Sequence, residues 1–200
     1  MLRLDALSEI YEQLEDMVVV TIMGAVAAEL QSLGHQPNFF YLQHAMGLAS
    51  SMGLGIALAR PELEVVVLDG DGSLLMNLGG LTTMARYRPA NLTHLVFDNE
   101  SLLSVGGFPT ATSTGSDLAG VARAAGVPQV VRADTPSAVR AALSEARESQ
   151  ELTTIVSKVD AVYEQPPATS GFVTELGLLE NRFQFQRYLA SLTTEPTAKS

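Results

Sequence analysis

Six short apolar runs alternate with helix-forming stretches along this chain. That alternation predicts an α/β fold, a doubly wound parallel sheet with helices on both faces. Two further observations agree. The run EVVVLD is apolar without the polar alternation of a half-exposed strand, as a central strand buried on both sides requires. The punctuation between elements also falls where helices and strands should stop, at Gly34, Pro61, Gly126 and Pro128. A length of 200 residues suits one large domain better than two.

Taken in order, residues 1–16, MLRLDALSEIYEQLED, spread acids among apolar positions and make a single N-terminal helix at most. They lack the basic start, apolar block and cleavage site of a secretory leader. The core then runs over residues 17–160. Strands are predicted at 18–23, 38–42, 64–69, 93–98, 128–133 and 152–159, and helices at 25–33, 46–59, 78–88, 117–125 and 136–149. Residues 161–200 form a linker and a terminal helix: YEQPPATSG is a Pro- and Gly-rich connection, and 172–192 is helix-like and docks on the sheet or on a second subunit. The last residues, TTEPTAKS, are expected to fray. No repeat of fixed period is present.

Composition narrows the function. Hydrophobic residues make up 46% of the chain and charged ones 17%, the profile of a packed protein rather than a disordered one. The formal net charge is -10 and no run of Lys or Arg exists, so nucleic acid is not an expected partner. No stretch approaches the roughly 20 apolar residues of a membrane span. Cysteine is absent, which excludes disulfides and thiolate metal sites and is compatible with a reducing compartment. A soluble, cytoplasmic protein is expected.

The chemistry concentrates at strand ends. In VVVLDGDGSLLMN, an apolar strand ends in Asp71 held between Gly70 and Gly72, where a second apolar element begins. Ligands of doubly wound sheets sit beyond the carboxyl ends of strands. The glycines allow close backbone approach, and the amides of Gly72 and Ser73 at a helix start suit a phosphate. An acid beside a phosphate is repulsive unless a cation separates them, which suggests a carboxylate–Mg²⁺–phosphate arrangement. The alternative is that Asp71 only caps the next helix. The following strand, THLVFDNES, also closes on a polar pair, Asp98 and Asn99, and a neighbouring parallel strand would carry Asn99 to the same sheet edge as Asp71. A carboxylate, an amide oxygen and a loop carbonyl are hard donors fit for an octahedral ion.

These residues resemble a family pattern. GDGS, followed twenty-six positions after Gly72 by Asp98 and then Asn99 at a strand end, is similar to the diphosphate-binding motif of thiamine diphosphate enzymes. The resemblance implies that Asp71, the Asn99 side chain and the Ser101 carbonyl ligate Mg²⁺, and that Gly70, Asp71, Gly72 and Ser73 line the diphosphate. Upstream, His44-Ala45-Met46-Gly47 resembles the family's wedge: Met46 would bend the cofactor into its reactive V-shape, and the His44 carbonyl would receive the 4′-amino group. Met46 alone would read better as a core methionine at a helix start, and His44 either moves a proton near substrate or contributes only backbone. His94 reads as structural, His35 as solvated and Glu100 as a loop acid.

Over residues 18–159 the order of segments resembles the sulfopyruvate and phosphonopyruvate decarboxylase group. The resemblance implies a 2-oxo acid substrate, thiamine diphosphate and Mg²⁺ as cofactors, and an oligomer. Departures fall on the substrate side. Where the group has Gly-Ser before Met-Gly, a Gly after the metal-binding Asn and Ser-Thr-Gly-Gly-Gln, this chain has His44-Ala45, Glu100 and Ser104-Val105-Gly106-Gly107-Phe108. Between Asp98 and Asp117 no Lys, Arg or His is available for a sulfonate or phosphonate, while Leu102, Leu103, Val105 and Phe108 are apolar. The family's activating glutamate sits on a separate pyrimidine-binding domain, which 200 residues leave no room for. A pyrimidine-domain partner subunit is therefore expected. Carboligation of the acetolactate type and a non-catalytic regulatory subunit are the alternatives.

Overall fold

Val65, Val66, Val67 and Leu68 are wholly buried in the third strand, as a run with no polar face must be. Withdrawing each such side chain from water is worth roughly 1.5–3 kcal/mol. The computed structural model describes residues 1–162 and 176–192. Around this strand, β3 (Val65–Gly70), stand β1 (Val18–Thr21), β2 (Phe39–Tyr41), β4 (Leu92–Asp98), β7 (Gln129–Arg132) and β8 (Thr153–Lys158). They form one six-stranded sheet in the order β2-β1-β3-β4-β8-β7, parallel at every pairing. The doubly wound parallel sheet expected from the sequence is the observed fold. A small antiparallel ribbon, β5 (Ser101–Leu102) with β6 (Phe108–Pro109), was not anticipated; two-residue strands carry no periodic signal.

The chain leaves β1 towards β2 on one side and leaves β3 towards β4 on the other. The topological switch point thus lies between the carboxyl ends of β1 and β3.

Helices α1 (Arg3–Leu14), α2 (Ala25–Leu33), α3 (Ala49–Ala59), α4 (Asp71–Met76), α5 (Gly79–Tyr87), α6 (Leu118–Ala124) and α7 (Pro136–Ser149) supply the layers. Two have side-chain caps: Asp117 accepts from the Gly120 amide and Thr135 from the Ala138 amide. Helix α3 begins three residues later than predicted. His44 (φ 53°) and Gly47 (φ 83°) adopt left-handed backbone just before it, which an α-helix cannot contain.

The terminal helix α8 (Leu178–Ser191) covers the β2 edge. The Asn181 amide nitrogen donates to the Phe39 carbonyl at 2.8 Å and its oxygen accepts from the Tyr41 amide at 3.0 Å, satisfying edge groups that would otherwise offer a strand-pairing surface. Phe185 packs on Phe40. Of the two docking places expected for this helix, the sheet is the one observed; the connection over 163–175 lies outside the described residues. No helix among the described residues is long and apolar enough to cross a membrane.

Candidate functional site

The switch point opens into a recess whose walls come from five segments. Ile22, Met23, Ala25 and Val26 line it from the β1–α2 connection; Gly70, Asp71, Gly72 and Ser73 from the start of α4. Phe97, Asn99, Ser101, Leu102 and Leu103 follow from the end of β4 onward, with Met46 and Arg3 completing the wall.

Asp71 is only 2% exposed. The N-cap of α4 is Gly70, without a side-chain cap, and Asp71 stands inside the first turn. The capping reading of Asp71 therefore gives way to one in which its carboxylate looks across the sheet edge. Its Oδ2 accepts from Thr110 Oγ1 at 2.5 Å, with Thr112 Oγ1 at 3.3 Å. Burial pushes the Asp71 carboxyl above the ordinary carboxylate range, against the pull of the Thr110 hydroxyl, and the nearby Asp98 charge adds to the rise. No Lys, Arg or His forms an ion pair with Asp71 among the described residues.

Asp98, equally buried, is treated differently. It accepts from Thr112 Oγ1 at 2.8 Å and from Lys158 Nζ at 2.9 Å, and Lys158 also reaches Glu100 at 2.5 Å. Partial burial works against the Lys158 charge, but Glu100 and Asp98 outweigh it and hold the ammonium above its ordinary range. Each threonine has one hydroxyl proton. The shorter contacts assign Thr110 to Asp71 and Thr112 to Asp98.

Asn99 closes an Asx turn, its Oδ1 accepting from the Ser101 amide at 3.1 Å. Glu100, in the left-handed region (φ 58°), turns the chain into β5. The carbonyls of Glu100 and Leu102 accept from the amides of Thr110 and Gly107 in the ribbon. Strand alternation points the Ser101 carbonyl to the opposite side. A Cβ on Gly72 would lie 2.2 Å from Leu102 Cδ2, so any larger residue there would push the Leu102 side chain of the ribbon aside.

Helix α4 also holds the loop that bears Met46. Ser73 Oγ accepts from the Gly47 amide at 3.0 Å, and the Asn77 amide donates to the Gly47 carbonyl at 2.8 Å. Met46, distant in sequence from GDGS, is thereby placed on the wall it shares with Asp71, Gly72 and Ser73.

Of the residues predicted for the site, Met46, Gly70, Asp71, Gly72, Ser73, Asn99 and Ser101 share this one recess. His44 and Ala45 lie beside it and do not line it; the His44 side chain faces solvent. His94 is structural, as expected: it is 0% exposed and its Nε2 lies 3.1 Å from Asp69 Oδ2. His35 is not solvated as expected. Its ring nitrogens meet the Tyr41 hydroxyl and Gln184, because α8 closes over it. Glu100 is exposed, as a loop acid should be, yet tied to Lys158.

The sequence reading missed Thr110, Thr112, Lys158 and Arg3. Lys158 had a signal, since it is a polar residue at the carboxyl end of an apolar strand, the feature that singled out Asp71 and Asn99. The two threonines showed only a spacing of two after a Gly-Gly turn. Arg3 showed none: its guanidinium is buried through a two-pronged contact with Glu29, Nε to Oε2 at 2.9 Å and a terminal nitrogen to Oε1 at 2.6 Å. Among the described residues no cluster of three His, Asp or Glu side chains stands at metal-ligating distance. A metal ion here would need amide, carbonyl or phosphate oxygens beside Asp71.

Comparison with known proteins agrees with this geometry. The C-terminal TPP binding domain of thiamine pyrophosphate enzymes matches residues 20–157. The chain is 44% identical over 124 residues to the sulfopyruvate decarboxylase subunit beta of Methanothermobacter thermautotrophicus, covering 62% of this chain and 66% of that subunit. It is 45% identical over 125 residues to the phosphonopyruvate decarboxylase of Streptomyces viridochromogenes, covering 62% of this chain but 31% of that enzyme. It thus spans just under two thirds of the one relative and under a third of the other. Benzoylformate decarboxylase from Polynucleobacter necessarius shares the fold, with a TM-score of 0.68 at 20% identity over 82% of this chain and 34% of that one. The chain belongs to the thiamine pyrophosphate enzyme family, of which it carries the C-terminal, cofactor-binding domain.

Proposed function

We propose that this chain is the cofactor-binding subunit of a thiamine diphosphate-dependent 2-oxo acid decarboxylase that works with a pyrimidine-domain partner. The observation that carries the reading is Asp71: a buried carboxylate with hydroxyl partners and no counter-cation, at the switch point, beside amides and an Asn99 oxygen. A buried charge of this kind wants a cation. Asp71, the Asn99 side chain and the Ser101 carbonyl would hold Mg²⁺, an oxygen set suited to that ion. The Gly72 and Ser73 amides would hold the diphosphate, Met46 would sit beneath the bend of the cofactor, and the His44 carbonyl would take its amino group.

Bound there, thiamine diphosphate supplies the electron sink for the pair released when the bond to the carboxylate breaks, so that R–CO–COO⁻ and H⁺ give R–CHO and CO₂. This chain orients the cofactor and excludes water from it. The Thr110 and Thr112 hydroxyls give the two neighbouring carboxylates, Asp71 and Asp98, a hydrogen-bond donor each. The group that activates the cofactor ring belongs to the partner on this reading, which the beta-subunit names of the relatives support. A cytoplasmic setting and an assembly of more than one chain complete the proposal; a cysteine-free chain suits the first.

Isothermal titration of thiamine diphosphate with and without Mg²⁺, into the chain alone and into its mixture with a pyrimidine-domain polypeptide, tests this reading. Mg²⁺-dependent binding strengthened by the partner, followed by CO₂ release from 2-oxo acids, is expected. Absence of Mg²⁺-dependent binding in both would overturn it, while binding without turnover would favour a regulatory subunit. A condensed hydroxy-ketone in place of the aldehyde would favour carboligation.

A further inference from the structure

We infer that the site accepts 2-oxo acids with an uncharged, apolar side chain and discriminates against those bearing a sulfonate or phosphonate; this rests on the decarboxylase reading. Two observations support it.

The first is the chemistry of the walls. Away from Asp71 and Asn99 the recess is faced by Met23, Ala25 and Val26 on the β1–α2 side and by Leu102 and Leu103 on the other. The apolar loop after Asn99 was visible in the sequence, but the opposite wall was not. Only the fold brings the end of β1 against it. A sulfonate or phosphonate pressed on such walls would lose its water and gain no donor in exchange. An alkyl group would gain about fourfold in affinity for each methylene buried.

The second is the charge balance. Arg3 is the cation among the lining residues, and Glu29 already grips it with two oxygens. Lys158, behind Asn99, is shared between Asp98 and Glu100. In these two separate groups four carboxylates, of Glu29, Asp71, Asp98 and Glu100, stand with two cations, Arg3 and Lys158. One Mg²⁺ cancels the excess, and the diphosphate of the cofactor makes the balance negative again. Among the described residues no unmatched cation is then left beside the recess to receive a second anionic group beyond the carboxylate that is lost as CO₂.

The test uses the complex of the full chain with its pyrimidine-domain partner, loaded with thiamine diphosphate and Mg²⁺. Pyruvate, 2-oxobutanoate, 2-oxopentanoate, sulfopyruvate and phosphonopyruvate are compared by kcat/KM for CO₂ release. The expected order rises about three- to fourfold per methylene from pyruvate to 2-oxopentanoate, with both anionic substrates at least tenfold below 2-oxobutanoate. In the Val26→Arg variant the ratio of sulfopyruvate to 2-oxobutanoate should rise at least tenfold. Sulfopyruvate or phosphonopyruvate turned over as well as 2-oxobutanoate would overturn the inference, because the partner would then be supplying the cation. An unchanged ratio in Val26→Arg would overturn it too, because that wall would not face the substrate. Intact Mg²⁺-dependent cofactor binding in either case separates this failure from failure of the cofactor assignment. A complex that binds cofactor but releases CO₂ from none of the five would overturn the decarboxylase reading and the inference with it.

Discussion

The ends of β3 and β4 carry three buried aspartates, and the molecule treats them in three ways. Asp69 is 1% exposed; its Oδ1 accepts from the Gly70 amide and its Oδ2 meets His94 inside the sheet layer. Asp98 is matched by Lys158 and a threonine. Asp71 has the Thr110 and Thr112 hydroxyls and the Gly72 amide but no cation among the described residues, and burial pushes its carboxyl up. On the proposed reading, the acid left short of positive charge is the one that would meet the cation, a distinction the family motif alone does not make, since the motif cannot separate an acid that structure consumes from one it holds ready.

The largest effect that could break the comparison is on binding. Asp71→Ala should weaken Mg²⁺-dependent thiamine diphosphate binding to the complex by at least ~100-fold, since a direct ligand should cost no less than the roughly 10–100-fold that loss of an outer-shell partner costs. Asp98→Asn should cost less than ~10-fold, because its charge is already matched. Titration calorimetry on both variants decides. Equal losses would mean that Asp98 also serves the ion and that Lys158 is not its true partner.

Next in size is the stability role of Asp69. His94→Leu leaves a buried carboxylate with a single backbone donor and should destabilise the chain by roughly 3 kcal/mol, read from urea midpoints. His94→Gln, which restores a donor, should recover a substantial part. His94 Nδ1 and Thr154 Oγ1 have no hydrogen-bond partner among the described residues, and the two residues are register neighbours on β4 and β8. A buried water bridging them would account for both. No loss in His94→Leu would place Asp69 with Asp71 as an acid awaiting a ligand. Smaller again, Lys158→Met should cost about 1 kcal/mol, since the ammonium is nearly half exposed and solvent screens much of the pair. High salt should lower the wild-type stability towards the variant while leaving the variant unmoved.

The positions of Asp71 and Asn99 were legible in the sequence because a polar residue closing an apolar parallel strand has few structural uses. All six strands of the main sheet were legible too, with boundaries shifted by one or two residues; in the central β1 and β3, burial on both faces forces an almost unbroken apolar run. The partners of the aspartates were not. Thr110 and Thr112 reach Asp71 and Asp98 across 39 and 14 positions, through a ribbon two residues wide that has no periodicity to read. Arg3 joins the recess from the N-terminal helix, which looked like an ordinary amphipathic stretch. His35 misled for the same reason: the helix that covers it lies 149 positions away.

The smallest prediction concerns the apo chain and carries the comparison into its pH dependence. The folded-state carboxyl of Asp71 lies above its ordinary value. Between the two values the folded chain therefore holds a proton that the unfolded chain releases, and stability contributed by this group falls as pH rises through that window. Above the folded-state value the cost of the buried charge is fully present; below the ordinary value it is gone. Asp71→Asn removes the charge while leaving an acceptor oxygen for Thr110. The variant should match wild type in acid and exceed it at neutral pH by a few degrees in Tm, on the order of 1 kcal/mol for a chain of this length. Saturating Mg²⁺ and thiamine diphosphate, with the partner present, should reverse the order, because only wild type gains a ligand that offsets the charge. An apo variant less stable than wild type at neutral pH would mean that the hydroxyl bonds alone satisfy Asp71, and the contrast with Asp69 and Asp98 would disappear.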